Sequence, residues 1–182
     1  MPTSRAQRVA LTAALAALAG CAGAPVIAPP DVPAALRPAA GQEVFLQARA
    51  SGVQIYECAA RPDQPAAYAW IFRAPEATLV DRHGRVLGKH YAGPTWESAD
   101  GSSVVGEVRA RDPGPTSTAI PWLLLAAKST SGAGVLNATT SIQRLYTAGG
   151  SPPSASCSAA SAAAVERVPY SATYYFYRAA HR

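Results

Sequence analysis

The stretch "TLVDRHGRVLGKHYAGPTWESADGSSVVGEVRAR", residues 78–111, decides the fold class. It holds short β-branched and aromatic runs separated by three turn signals. The first turn is Asp81 to Gly84, the second is Gly93-Pro94, and the third is Asp100-Gly101. Runs this short, punctuated this often, read as antiparallel strands rather than helices.

The same grammar extends in both directions. "EVFLQARASGVQIYEC", 43–58, reads as two alternating runs turning at "ASG", a hairpin signal. "AYAWIFRAP", 67–75, places Tyr68, Trp70 and Phe72 on one face at strand period. "IPWLLLAAKST", 120–130, is an apolar run that periodicity alone does not assign; the proline before it and the small residues after it favour a buried strand. "GVLNATTSIQRLYT" and "YSATYYFYR" add further β-rich runs. No long stretch of helical period occurs after the N-terminus. The expectation is an all-β domain, an antiparallel sandwich or barrel of about 8–10 strands.

The N-terminus carries different information. Arg5 and Arg8 precede "VALTAALAALAG", an apolar run too short to span a bilayer, which takes about 20 residues. It fits a signal-peptide core. The run closes in "LAGC", Leu18 to Cys21, which resembles the lipobox of bacterial lipoproteins. That resemblance implies a signal peptide over residues 1–20 and acylation of Cys21 by diacylglycerol and further fatty chains such as palmitate. Several chains anchor a protein far more firmly than one, since each buried methylene adds about 0.8 kcal/mol. Ala22, rather than an aspartate, follows the cysteine, the pattern that sorts enteric lipoproteins to the outer membrane. The expected location is the cell envelope, anchored by lipid and facing the periplasm.

Prolines 25, 29, 30, 33 and 38 then exclude a regular helix or central strand. Residues 21–40 read as a lipidated, semi-stiff tether, unless Val26, Ile27 and Leu36 dock it on the domain. The domain proper is expected over 41–182.

Charged residues make up 15% of the chain, and its formal charge is +5, falling to +3 without Arg5 and Arg8. The remaining basic residues are scattered, which gives no case for nucleic acid. With Cys21 assigned to lipid, Cys58 and Cys157 remain, and an oxidising compartment permits one pairing. The alternative, a metal site, lacks a second ligand at diagnostic spacing. "SPPSASCSAASAAA", 151–164, reads as a long surface loop that the disulfide would pin.

"SGVQIYEC", "AYAWIFRAPEATLVD", "GRVLGKHYAGPTWESADGSSVVGEV", "IPWLLLAAKSTSGAGVL", "IQRLYTAGGSPPSASC" and "YSATYYFYR" follow one another in order. Together they resemble the DUF3455 family of secreted bacterial and fungal proteins. The resemblance implies export and a common fold, and no activity. Some fungal relatives are labelled malate dehydrogenase, but "SGAGVLNA", 131–138, lacks the third glycine and the strand-to-helix context of a dinucleotide site. No cofactor is expected.

The polar strip 90–102 supports two readings. In one, His90 is a base or ligand partnered by Glu97 and Asp100, giving a hydrolase or redox enzyme. In the other, Gly93-Pro94 bends the chain, Trp96 plugs the core, and Asp100-Gly101 turns a hairpin. The second reading is favoured. It leaves a non-catalytic envelope domain binding a small molecule, glycan or protein, with Tyr91 and Trp96 as candidate contacts. Convergence of His90, Glu97 and Asp100 in a cleft distinguishes the two.

Overall fold

The computed structural model describes residues 27–180. Eight strands form a closed barrel in which every neighbour in sequence is an antiparallel neighbour in space. They are β1 (Gln42–Arg61), β2 (Gln64–Val80), β3 (Val86–Tyr91), β4 (Thr95–Ser98), β5 (Ser103–Asp112), β6 (Trp122–Ser131), β7 (Ser141–Gly149) and β8 (Val165–Ala179). β8 returns to pair with β1 from Gln42↔Ala179 to Glu57↔Val165, which removes both sheet edges. The all-β expectation holds, in its barrel form.

The turns at Asp81 and Asp100 form where the sequence places them. The Asp81 carboxylate accepts the backbone N–H groups of His83 (2.8 Å) and Arg85 (2.9 Å), and Arg85 Nε adds an ion pair at 2.7 Å. The "ASG" turn does not form. β1 runs unbroken through it, and Gly52 is there because a Cβ would collide with the Glu76 carbonyl of β2. The glycine marks a close backbone approach within a strand, not a bend. Much of "GVLNATT" also departs from strand, with a 3-10 turn at Val135–Ala138.

A bulge in β2 shapes the interior. Ile55 pairs with Ala74 but Tyr56 pairs with Phe72, so Arg73 is the extra residue. One extra residue reverses which side chains face inward. Trp70 and Phe72 therefore share the inner face with Pro75, Ala77 and Leu79 rather than alternating against them.

At one end the barrel is filled. Leu46, Leu79, Leu87, Leu136 and Phe176 meet there, leaving a gap of only about 20 Å³. Trp96 lies above, 1% exposed, against Phe176 and Leu125. Gly106 makes this possible, since its Cβ would sit 2.9 Å from the Trp96 ring.

A second apolar cluster lies on the outer face. Val32 and Leu36 of the segment before β1 cover Leu145, Tyr175 and Tyr177, with Ile27 alongside. Gln143 fixes this strap. Its Nε2 donates to the Leu36 carbonyl at 2.7 Å, and its Oε1 accepts from the Tyr177 hydroxyl at 2.7 Å. Part of the segment read as a tether therefore packs on the barrel, at Ile27, Val32 and Leu36; Val26, Cys21 and the signal segment lie outside the described residues.

Cys58 and Cys157 form a disulfide with Cα atoms 5.6 Å apart. The loop between β7 and β8 is fastened beside it. Cys58 and residues 163–164 exchange backbone bonds of 2.9 and 2.8 Å, and the Trp70 indole N–H donates to the Ala155 carbonyl at 2.8 Å. Near its start, the Tyr56 hydroxyl donates to the Gly150 carbonyl at 2.7 Å.

Candidate ligand cavity in the barrel

The end of the barrel opposite the Leu136 plug is open. A cavity of about 530 Å³ enters there, bounded by the β3–β4 hairpin, the β5–β6 connection and the fastened β7–β8 loop, which contributes Pro152. That volume falls in the range of small-molecule sites, about 300–1,000 Å³. An eight-stranded barrel is of the right width to hold one small ligand.

Aromatic rings form one wall. His90 of β3 and Trp96 of β4 are directly paired across the hairpin. Their rings stack at 4.3 Å with 13° between planes, and Tyr174 of β8 sets its ring edgewise to both, at 5.1 and 5.2 Å. Around them the lining is largely apolar, with Phe72, Ile120, Leu123 and Leu125.

His90 Nδ1 lies 2.8 Å from the Thr95 carbonyl. A carbonyl only accepts, so Nδ1 carries the proton. Burial pushes the imidazole pKa down to about 3, and the positive charge of Arg144 pushes the same way against the Thr95 bond. The ring is neutral at any physiological pH.

Arg144 of β7 is the unusual member. Its Nε and Nη2 both donate to the Pro121 carbonyl, at 3.1 and 2.9 Å. Burial lowers its pKa, while the neighbouring hydroxyls of Tyr174 and Tyr170 favour the charged form and Arg111 opposes it. Three arginines line the cavity, with no aspartate or glutamate among the lining residues. Arg73 is paired outside with Glu57 at 2.9 Å. Among the described residues neither Arg111 nor Arg144 has a carboxylate within 4.0 Å.

Several buried polar atoms are left over. Gln54 Nε2 and Trp96 Nε1, on lining residues, have no hydrogen-bond partner, and the Tyr174 hydroxyl has only its contacts with Arg144 and Tyr170. The Tyr170 hydroxyl, beside Tyr174, is in the same position. Burial raises the pKa of both tyrosines, so both stay protonated. A buried unpaired donor costs about 1–3 kcal/mol, and native proteins hold few of them.

The chain belongs to the DUF3455 family. The family's model, described as a protein of unknown function, matches residues 38–178. No curated protein and no solved structure matches significantly. The match takes in the whole cavity but begins after Leu36, so the strap that covers the outer face of this DUF3455 domain lies outside it.

The constellation of His90, Glu97 and Asp100 does not assemble. Strand alternation points His90 and Trp96 inward and Tyr91 and Glu97 outward. Glu97 accepts from the Tyr91 hydroxyl at 2.7 Å and pairs with Lys89 at 3.1 Å. The Tyr91 bond and then the Lys89 bond hold its carboxyl below the usual range. Asp100 lies at the filled end, in the β4–β5 turn. It accepts from Ser102 Oγ (2.6 Å), Ser102 N (2.9 Å) and Val135 N (2.8 Å), so it ties that turn to the Leu136 plug. Those bonds, led by Ser102, depress its pKa strongly. Of the candidate binding pair, Trp96 lines the cavity and Tyr91 does not. Among the described residues no group of three or more His, Cys, Asp or Glu side chains could hold a metal ion.

Sequence reasoning missed Gln54, Arg111, Arg144 and Tyr174. One signal was present: in "SIQRLYT" Arg144 has the parity of Ile142, a charge placed where the strand is otherwise buried.

Proposed function

We propose that this protein is a lipid-anchored carrier or receptor of the cell envelope that holds a small apolar molecule in its barrel. The cavity carries the reading, with its open mouth and its aromatic, largely apolar wall. The anchoring half rests on Arg5, Arg8 and the lipobox-like "LAGC". The Cys58–Cys157 disulfide fits an oxidising compartment. On this reading the acyl groups on Cys21 keep the barrel at the outer membrane, and the barrel needs no membrane-binding surface of its own.

The uncharged fluorophore Nile red tests the cavity. It should bind residues 27–182 saturably, one per chain, with enhanced emission. Ile120→Trp, which fills the mouth, should abolish the signal. Absence of saturable binding, or binding untouched by Ile120→Trp, overturns the cavity reading. Cys21→Ser in the full chain should move it from the membrane fraction to a soluble or unprocessed form. Unchanged detergent partitioning of processed protein overturns the anchor.

A further inference from the structure

We infer that the cavity selects a monocarboxylate on an apolar body and that Arg144 receives its carboxylate. This rests on the cavity reading and gives its ligand a chemical class.

The argument begins with charge. Desolvating a guanidinium is costly unless an anion or a full set of acceptors replaces water. Arg144 gives two of its N–H groups to the Pro121 carbonyl and has the Tyr174 hydroxyl beside it. A guanidinium carries five N–H groups, so at least two remain. Arg111 lines the same cavity and adds a second positive charge that opposes the first. No carboxylate of the lining offsets either. Two uncompensated cations in one pocket favour an anionic guest.

The unpartnered atoms behind the cavity wall supply no acceptor of their own to Arg144. Trp96 Nε1 and Gln54 Nε2 only donate, and with Trp96 1%, Gln54 2% and Tyr174 0% exposed they back the wall rather than face a guest. A carboxylate supplies acceptors only, in the planar form that matches the guanidinium fork.

The remainder of the lining sets the body. The stacked His90 and Trp96 rings, with Phe72, Ile120 and Leu123 also in the lining, offer no charge to a second polar group. His90 stays neutral and does not compete for the carboxylate. Arg111 is exposed and keeps its water, so only the half-buried Arg144 calls for a desolvated counter-charge, and a dianionic phosphate would leave its second charge unmatched there. The monocarboxylate balances the guanidinium.

Displacement of Nile red by decanoate and by 1-decanol, matched in chain and differing in head, tests the inference. Decanoate should compete about ten- to hundredfold better, the worth of a charge-assisted hydrogen bond. Arg144→Gln should remove that advantage and leave decanol unchanged, with circular dichroism and the intact disulfide reporting the fold. Arg144→Lys, which keeps charge but not the fork, should fall between. Should the Arg144 variants fail to fold, Arg111→Gln at the more exposed position should still weaken decanoate selectively. Equal competition by acid and alcohol, or wild-type decanoate affinity in the folded variants, overturns the carboxylate assignment while the cavity reading stands. If Nile red does not bind and calorimetry detects no decanoate, both fall.

Discussion

Acidification from pH 7 to pH 5 should cost the folded domain about 2 kcal/mol through one side chain, His90. The imidazole is 3% exposed, stacked on Trp96 and faced by the positive charge of Arg144. Its folded pKa is depressed to about 3, against 6.5 for the free side chain. The sign follows from proton binding. Below pH 6.5 the unfolded chain takes up a proton that the folded chain refuses until near pH 3. The contribution is therefore fully present above the unfolded pKa and is lost as pH falls below it, at about 1.4 kcal/mol per unit. The window from 7 to 5 isolates His90, because Asp and Glu in the unfolded chain titrate near 3.9 and 4.3. The depressed acids Asp81, Glu97 and Asp100 begin to lose their contribution only below that window. Urea unfolding of residues 27–182 at half-unit pH steps measures the slope. His90→Asn keeps a donor for the Thr95 carbonyl and removes the titration, so its stability, lower at the outset, should be nearly flat over the same range. A wild-type slope no steeper than the variant's, or an imidazole that titrates near 6.5 in the folded protein, would refute the reasoning.

Three further outcomes follow from packing. Reduction of Cys58–Cys157, which closes a 99-residue separation, should lower stability by up to about 4–5 kcal/mol in denaturant titrations, and thiol counts before reduction should be zero for these two residues. Gly52→Val should cost about 1–3 kcal/mol or more, since its Cβ meets the Glu76 carbonyl; an unchanged urea midpoint would contradict the close β1–β2 approach. Leu36→Ala should cost about 2–5 kcal/mol, because this side chain of the strap is 0% exposed against the barrel; a change within a few tenths would show that the strap is not docked in solution.

The parts of the fold legible in the sequence are those fixed by local chemistry. Asp81 makes its turn with its own neighbours, two and four residues on, so the signal is contained in "DRHGR". The choice between sandwich and barrel is not local. It depends on β8 meeting β1 over more than a hundred residues of separation, and alternation looks the same in either arrangement. Gly52 misleads for a related reason. A glycine after "AS" is the same letter whether the chain turns or a neighbouring strand comes too close for a Cβ, and the neighbour, Glu76, is a contact between strands.

The site was harder to read than the fold because its donors share no motif. Gln54, Trp96, Arg144 and Tyr174 come from β1, β4, β7 and β8, and only barrel closure brings them around one cavity. Strand parity would have separated His90 from Glu97 once the hairpin was drawn about Gly93, since His90 pairs with Trp96 and Lys89 with Glu97. Parity puts Arg144 on the face of Ile142 but does not set it apart from Gln143. Its strand is buried on both sides, by the barrel interior at Ile142 and by the strap at Gln143 and Leu145, so the usual contrast between an inner apolar face and an outer polar one is lost. Gln143 and Arg144 then look alike, two polar residues in a buried run. The difference lies in what meets them. Gln143 has both its amide groups satisfied by the Leu36 carbonyl and the Tyr177 hydroxyl and is complete. Arg144, with a carbonyl and a hydroxyl but no anion for its charge among the described residues, is not.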